Sequence, residues 1–208
     1  MEYVASRRSN PFDMNPPCVE FVPGYGVSTA DFHVIGDHPG RHGGVETGIP
    51  FTRSESGRQL QSVLAEVGLL RSTGDEPVPA NLYMSYLYLC VDPEDPTPAD
   101  YREMELFFDA EMRAITAHVL LPVGNRAIDY VLERYTARSP SSLDENAIHA
   151  TEISGGGWLV IPVADPSTWT ESDREALVAT LTSVLERDYR RESDLGRFFH
   201  DDSPYLVR

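Results

Sequence analysis

Three turns in this sequence carry side chains able to do chemistry, and each follows a short apolar run. Asp37 and His38 follow Ala30–Gly36 (ADFHVIG), Asn125 follows Val119–Val123 (VLLPV) across Gly124, and Asp165 and Ser167 follow Trp158–Val163 (WLVIPV). Two carboxylates held near one another can share the work of general acid and general base, which makes Asp37 and Asp165 a candidate pair for hydrolysis. An imidazole at His38 or His42 can donate to a base oxygen or a phosphate. The same donors suit a divalent ion, but their spacing carries no coordination geometry and no metal is assigned. Asn125 opens a helix, where it either caps or meets a phosphate. Phe51 stands in a polar, glycine-rich segment and is either a flat stacking face for a base or a plug for the core beneath a turn.

The elements that must position these residues alternate. Ala30–Gly36 reads as a strand and Arg58–Leu70 as a helix with Leu60, Val63, Leu64 and Val67 on one face. Between them, Asp37–Gly57 reads as a long glycine-rich loop. Leu82–Cys90 reads as a second strand. Thr97, Pro98 and Asp100 open a helix to Thr116. Val119–Val123 is a third strand, Asn125–Tyr135 a helix, and Trp158–Val163 a fourth strand after a turn at Gly155–Gly157. Ser172 and Glu175 have capping-box spacing at the start of a last helix that reaches Tyr189. His33, inside the first strand, reads as structural. Residues 1–29 read as irregular and 190–208 as a polar tail docked by Phe198 and Phe199. Strand–helix alternation predicts one α/β domain over 1–208, with a parallel sheet covered on both faces and ligands at the carboxyl ends of its strands.

Composition narrows the function. The 208 residues carry 33 acidic and 17 basic side chains, a net charge of −16, and every basic residue is Arg. An acidic surface without Lys suits a salt-rich cytoplasm, where salt screens carboxylate repulsion. It also removes the basic footprint of a general nucleic-acid binder, so contact with DNA would rest on Arg, backbone N–H groups and base insertion. The chain holds no apolar run of the roughly 18 residues that a membrane span needs, and the polar start lacks the core of a signal peptide. A cytoplasmic monomer is expected. Cys18 and Cys90 are too few for a four-thiolate site. A disulfide needs an oxidising compartment, of which the sequence gives no sign; both are expected to be buried as small apolar groups.

The motifs resemble a known family. Phe21–Gly26, the loop from Gly36 to Thr52 (with Gly36-Asp37-His38-Pro39-Gly40, His42-Gly43-Gly44, Thr47-Gly48 and Phe51-Thr52), and the helix after it are similar to the first block of family 4 and family 5 uracil-DNA glycosylases. Leu121–Ala127 resembles the strand–glycine–helix block, and Ile161–Ser167 the block that ends in His-Pro-Ser. The resemblance implies a three-layer α/β/α sandwich around a four-stranded parallel sheet, acting on DNA that contains a damaged base. A flipped uracil or other deaminated base would lose its N-glycosidic bond by hydrolysis. It carries a water-orienting role to Asp37 and the stacking role to Phe51. His38, Gly40, His42, Asn125 and Ser167 are expected to line the substrate. The departures are as informative. Asp165 stands where the family has its histidine, and an ionised Asp offers no donor to the departing base. Tyr86 stands where an Asn reads the uracil edge, and Ser54, with Glu55 next door, where the family's Phe-Thr-Gly-Asp segment has its acid. Members carry an iron–sulfur cluster on four cysteines; only Cys18 and Cys90 fit, so no cluster is expected. These departures favour, as an alternative, a non-catalytic base-, nucleotide- or DNA-binding relative. A hydrolase of another kind, using Asp37 and Asp165 as its pair, is a third reading.

Overall fold

The computed structural model describes residues 8–9, 15–136 and 145–195. Its strands are β1 (Arg8–Ser9), β2 (Gly24–Gly26), β3 (Phe32–Gly36), β4 (Leu70–Ser72), β5 (Val78–Pro79), β6 (Leu82–Tyr86), β7 (Val119–Pro122), β8 (Ile153–Gly155) and β9 (Trp158–Val160). The helices are α1 (Pro39–His42), α2 (Glu55–Glu66), α3 (Pro98–Ala114), α4 (Asn125–Tyr135), α5 (Glu145–Ile148), α6 (Glu171–Leu185) and α7 (Tyr189–Leu195). Seven strands form the main sheet in the order β1-β2-β6-β3-β7-β9-β8, with β4 and β5 paired apart. Its centre, β6-β3-β7-β9, is the expected set of four parallel strands. Antiparallel β2 and β8 extend the two edges.

Every residue of β3, β6 and β7 is buried, as a parallel sheet covered on both faces requires. Successive side chains point to opposite faces and so divide the core. Phe32, Val34, Met84 and Leu121 pack toward Leu60, Val63 and Leu64 of α2 and Leu177, Leu181 and Val184 of α6. Ile35, Tyr83, Leu120 and Val160 pack toward Phe108 and Met112 of α3 and Ile128, Val131 and Leu132 of α4. The result is the expected α/β/α sandwich. Asp31 fixes α7 across the open end of β3: it accepts from Arg190 Nε at 3.0 Å and from the Tyr189 hydroxyl at 2.9 Å.

Several sequence expectations are corrected. The segment 1–29 is not wholly irregular, since it contributes β1 and β2. The loop 37–57 contains α1, a single turn opened by Pro39. Helix α2 starts at Glu55, because the Ser54 hydroxyl accepts from Gly57 N at 2.9 Å. The capping box of α6 is Thr170 with Asp173, two residues earlier than Ser172 with Glu175. That helix ends at Leu185, before α7. Phe198 and Phe199 lie outside the described residues.

The cysteines are also corrected. Cys18 and Cys90 form a disulfide, with their Cα atoms 5.9 Å apart. The pairing is a register effect. Val22 N donates to Leu89 O and Val91 N to Glu20 O, both at 2.9 Å, around an antiparallel bridge between Phe21 and Cys90. That ladder brings Cys18 within disulfide reach of the chain beyond β6. The unreduced, unfolded protein should therefore give no free thiol in a colorimetric titration and two after reduction; two without reduction would contradict the pairing.

One polar cluster lies inside the α3 side of the sheet. His33 Nε2 is 2.8 Å from Ser85 Oγ, and burial pushes its imidazole down to about 3. Glu111 of α3 accepts from the Tyr83 hydroxyl at 3.0 Å, and burial pushes its carboxyl up to about 7, against hydrogen bonds from Ser85, Tyr83 and the Gly24 backbone. An acid raised on folding stabilises fully below its ordinary value of 4.5 and loses that contribution as pH climbs through about 7. Glu111→Gln removes this loss. Denaturant unfolding should show the variant gaining about 1 to 3 kcal/mol relative to the parent between about pH 5 and about pH 8; a pH-independent difference would contradict a neutral Glu111.

Candidate functional site

The parallel register sets the turns after β3, β7 and β9 side by side. Val123 N donates to Ile35 O, and Gly124 N to Val163 O, both at 2.8 Å. The turn at Asp37–His42 and the turn at Asp165–Ser167 therefore flank Gly124 at the start of α4. Gly124 takes φ +80°, and its missing Cβ would lie 3.6 Å from His42 Nε2.

Arg41 joins the two turns. It leaves α1 and donates to Asp165 Oδ2 from Nε at 3.1 Å and from Nη2 at 3.0 Å. Its Nη1 lies 3.8 Å from Asp37 Oδ2. Asp37, only 4% exposed, also accepts a short hydrogen bond from the Tyr101 hydroxyl, and Arg126 Nε stands 3.5 Å from Oδ1. The Arg126 guanidinium sits over the Tyr101 ring, 4.2 Å from its centroid. Asp165 Oδ1 accepts from Ser167 N at 3.0 Å and Ser167 Oγ at 2.8 Å. Two carboxylates are thus interleaved with two guanidiniums.

The charges follow from these contacts. Burial alone would raise the Asp165 carboxyl, but the Ser167 N–H and hydroxyl, with Arg41, outweigh it and hold the group below the usual carboxylate range. Asp165 is therefore ionised at neutral pH and can only accept. In that state Asp165 offers no donor where the family has its histidine. Burial lowers His38 as well, against the pull of Asp37 and of Asp95, whose Oδ1 lies 3.9 Å from Nε2. His42 is pushed down to about 4 by burial, so its ring is neutral. Its Nδ1 is 3.0 Å from Ser56 Oγ.

Beneath this charged layer three rings fill the turn. His42 and Phe51 have centroids 5.6 Å apart, Phe51 and Tyr86 5.2 Å, and His42 and Tyr86 6.3 Å. The Tyr86 hydroxyl donates to Gly43 O at 2.8 Å and accepts from Phe51 N at 2.7 Å. Phe51 takes φ +58°, a left-handed backbone, and Gln61 Nε2 holds its carbonyl at 2.7 Å. Gly36 leaves room for the rings: a Cβ there would fall 2.7 Å from both. Phe51 and Tyr86 are completely buried. In this arrangement neither presents the stacking face or edge contact that the sequence suggests. Ser54 donates to His42 O at 2.6 Å and serves as the α2 cap.

Of the residues singled out from sequence, Asp37, His38, His42, Asp165 and Ser167 converge. Gly40 is exposed on α1 and Asn125 on the first turn of α4. Sequence reading missed Arg41, Tyr101 and Arg126. Arg41 was recoverable, being four residues from Asp37 in the motif loop, and Arg126 adjoins Asn125. Tyr101 was not, because its contact crosses 64 residues from inside an ordinary helix.

A family profile described as the uracil DNA glycosylase superfamily matches residues 23–186. This chain belongs to that superfamily. Among its relatives, a type-5 uracil-DNA glycosylase of Thermus thermophilus is 28% identical over 161 residues, covering 74% of this chain and 72% of the relative. A type-4 uracil-DNA glycosylase of Archaeoglobus fulgidus is 26% identical over 125 residues, 59% of this chain and 58% of the relative. A type-5 enzyme of Mycobacterium tuberculosis is 29% identical over 124 residues, 57% and 46% of the two chains. The α/β fold described above is the one that this membership carries. An iron–sulfur cluster does not fit the residues present, because the only two cysteines are bonded to each other and offer no thiolate.

The Asp165 environment gives a direct prediction. Carboxyl ¹³C titration should place Asp165 below the ordinary Asp range, and Ser167→Ala should move its midpoint upward. A midpoint above the ordinary range in the parent would contradict the assignment.

Proposed function

We propose that this chain recognises DNA carrying a deaminated base and hydrolyses its N-glycosidic bond at the carboxyl ends of the parallel strands. The observation that carries the reading is Arg41 between Asp37 and Asp165, at the carboxyl ends of parallel strands, where ligands of such sheets sit. Water held by the Asp37 carboxylate attacks the sugar carbon, the carbon–nitrogen bond breaks, and its electron pair leaves with the base. The water proton passes to Asp37 or to solvent. The Arg41 guanidinium supplies donors and positive charge toward the departing base, a part that Asp165 cannot take. Asp165 instead positions Arg41. No redox cofactor enters this reaction.

A second reading, a non-catalytic binder of bases or DNA, is favoured by the buried stack of Tyr86, Phe51 and His42, which fills the depth of the site with the protein's own rings. Incubation with uracil-, hypoxanthine- and xanthine-containing oligonucleotides across a salt series separates the two. Hydrolysis predicts abasic product from at least one substrate and a fall of about 10²- to 10⁴-fold in Asp37→Asn. Binding without product from any of them, by folded protein, would sink the hydrolytic reading and leave the second.

A further inference from the structure

A slot opens between α3 and α4 next to Asp37, with a cavity volume of about 180 Å³. Tyr101, Phe108 and Tyr130 line it, with Phe108 and Tyr130 edge to face at 5.5 Å. Arg102 and Arg126 stand at its mouth, both exposed. The acid there, Glu105, is neutralised by Arg134 at 2.8 Å. Arginines at an aromatic slot are a local exception in a chain of net charge −16.

We propose that this slot binds the nucleotide that flanks the damaged one on the same strand. The inference rests on the DNA-binding reading above. Two observations select the occupant. Tyr101 and Arg126 belong at once to the slot and to the Asp37 cluster, so whatever fills the slot is contiguous with the molecule that meets Asp37. Ring walls beside guanidiniums are also the chemistry that takes a base face and its phosphate together, without reading sequence. The base packs on Tyr130 beside the Arg126 guanidinium that covers Tyr101, while Arg102 contacts its phosphate.

Calorimetric titration with thymidine oligomers of increasing length, across a salt series, tests this. One added nucleotide should raise affinity roughly tenfold, the scale of one base–aromatic stack. Tyr130→Leu should erase that increment. Arg102→Ala, at an exposed position that leaves the core intact, should weaken binding and lower the salt slope by about 0.7, the value for one phosphate contact on a single strand. Length-independent affinity, an increment unchanged in both variants, or no binding of any oligomer would overturn the slot. A length increment with no base excision in the oligonucleotide assay would sink the hydrolytic reading alone.

Discussion

The Arg41–Asp165 ion pair ties the turn after the first parallel strand to the turn after the last. Burying a carboxylate is costly, and the cost is offset only where opposite charge and hydrogen bonds satisfy its oxygens. Asp165 meets that condition through Ser167 on one oxygen and Arg41 on the other. The same guanidinium faces Asp37, whose oxygens are further met by Tyr101 and Arg126. The acidic centre is therefore a neutral composite of side chains from four segments. It can exist only because the parallel register brings the strand ends together.

This arrangement separates the site into two levels. The upper level is charged and partly open, with Arg41 and Arg126 half exposed above two buried carboxylates. The lower level is closed by His42, Phe51 and Tyr86. Closure is written into the backbone: Gly36 leaves the space the rings occupy, and Gly43, at φ +94°, has no room for a side chain against Thr52 O. A tyrosine at position 86 does not imitate an amide; it spends its hydroxyl on Gly43 and Phe51. The arginines and the Tyr101 ring lie at the mouth of the site, above the buried rings.

Much of the fold was legible in the sequence because the signals were local. Asn125–Tyr135 has the bounds its pattern predicts, and Thr97 with Asp100 caps α3 as the residue types require. Short apolar runs marked the four parallel strands, the first and third of them ending at a glycine. The edge strands escaped notice because β2, a three-residue GYG, carries no alternation of its own and exists through its partner β6. The turn residues Asp37, His42 and Asp165 were readable from motif spacing. Tyr101 was not, since its contact with Asp37 crosses 64 residues, and the pairing of Arg41 with Asp165, 124 residues apart, leaves no sequence trace either. Burial was also invisible: Phe51 reads identically as a stacking face and as a plug until its surroundings are known. The disulfide depended on strand register near Phe21, which composition does not encode.

The claim beneath this account is that Arg41 and Asp165 act as one unit holding two turns together. A double-mutant cycle on Arg41→Gln and Asp165→Asn, read by denaturant unfolding at neutral pH and low salt, measures that unit directly. Because Arg41 is partly exposed, the account predicts a coupling of about 1 kcal/mol or more that shrinks as salt rises. Additive effects of the two substitutions at every salt concentration would contradict it.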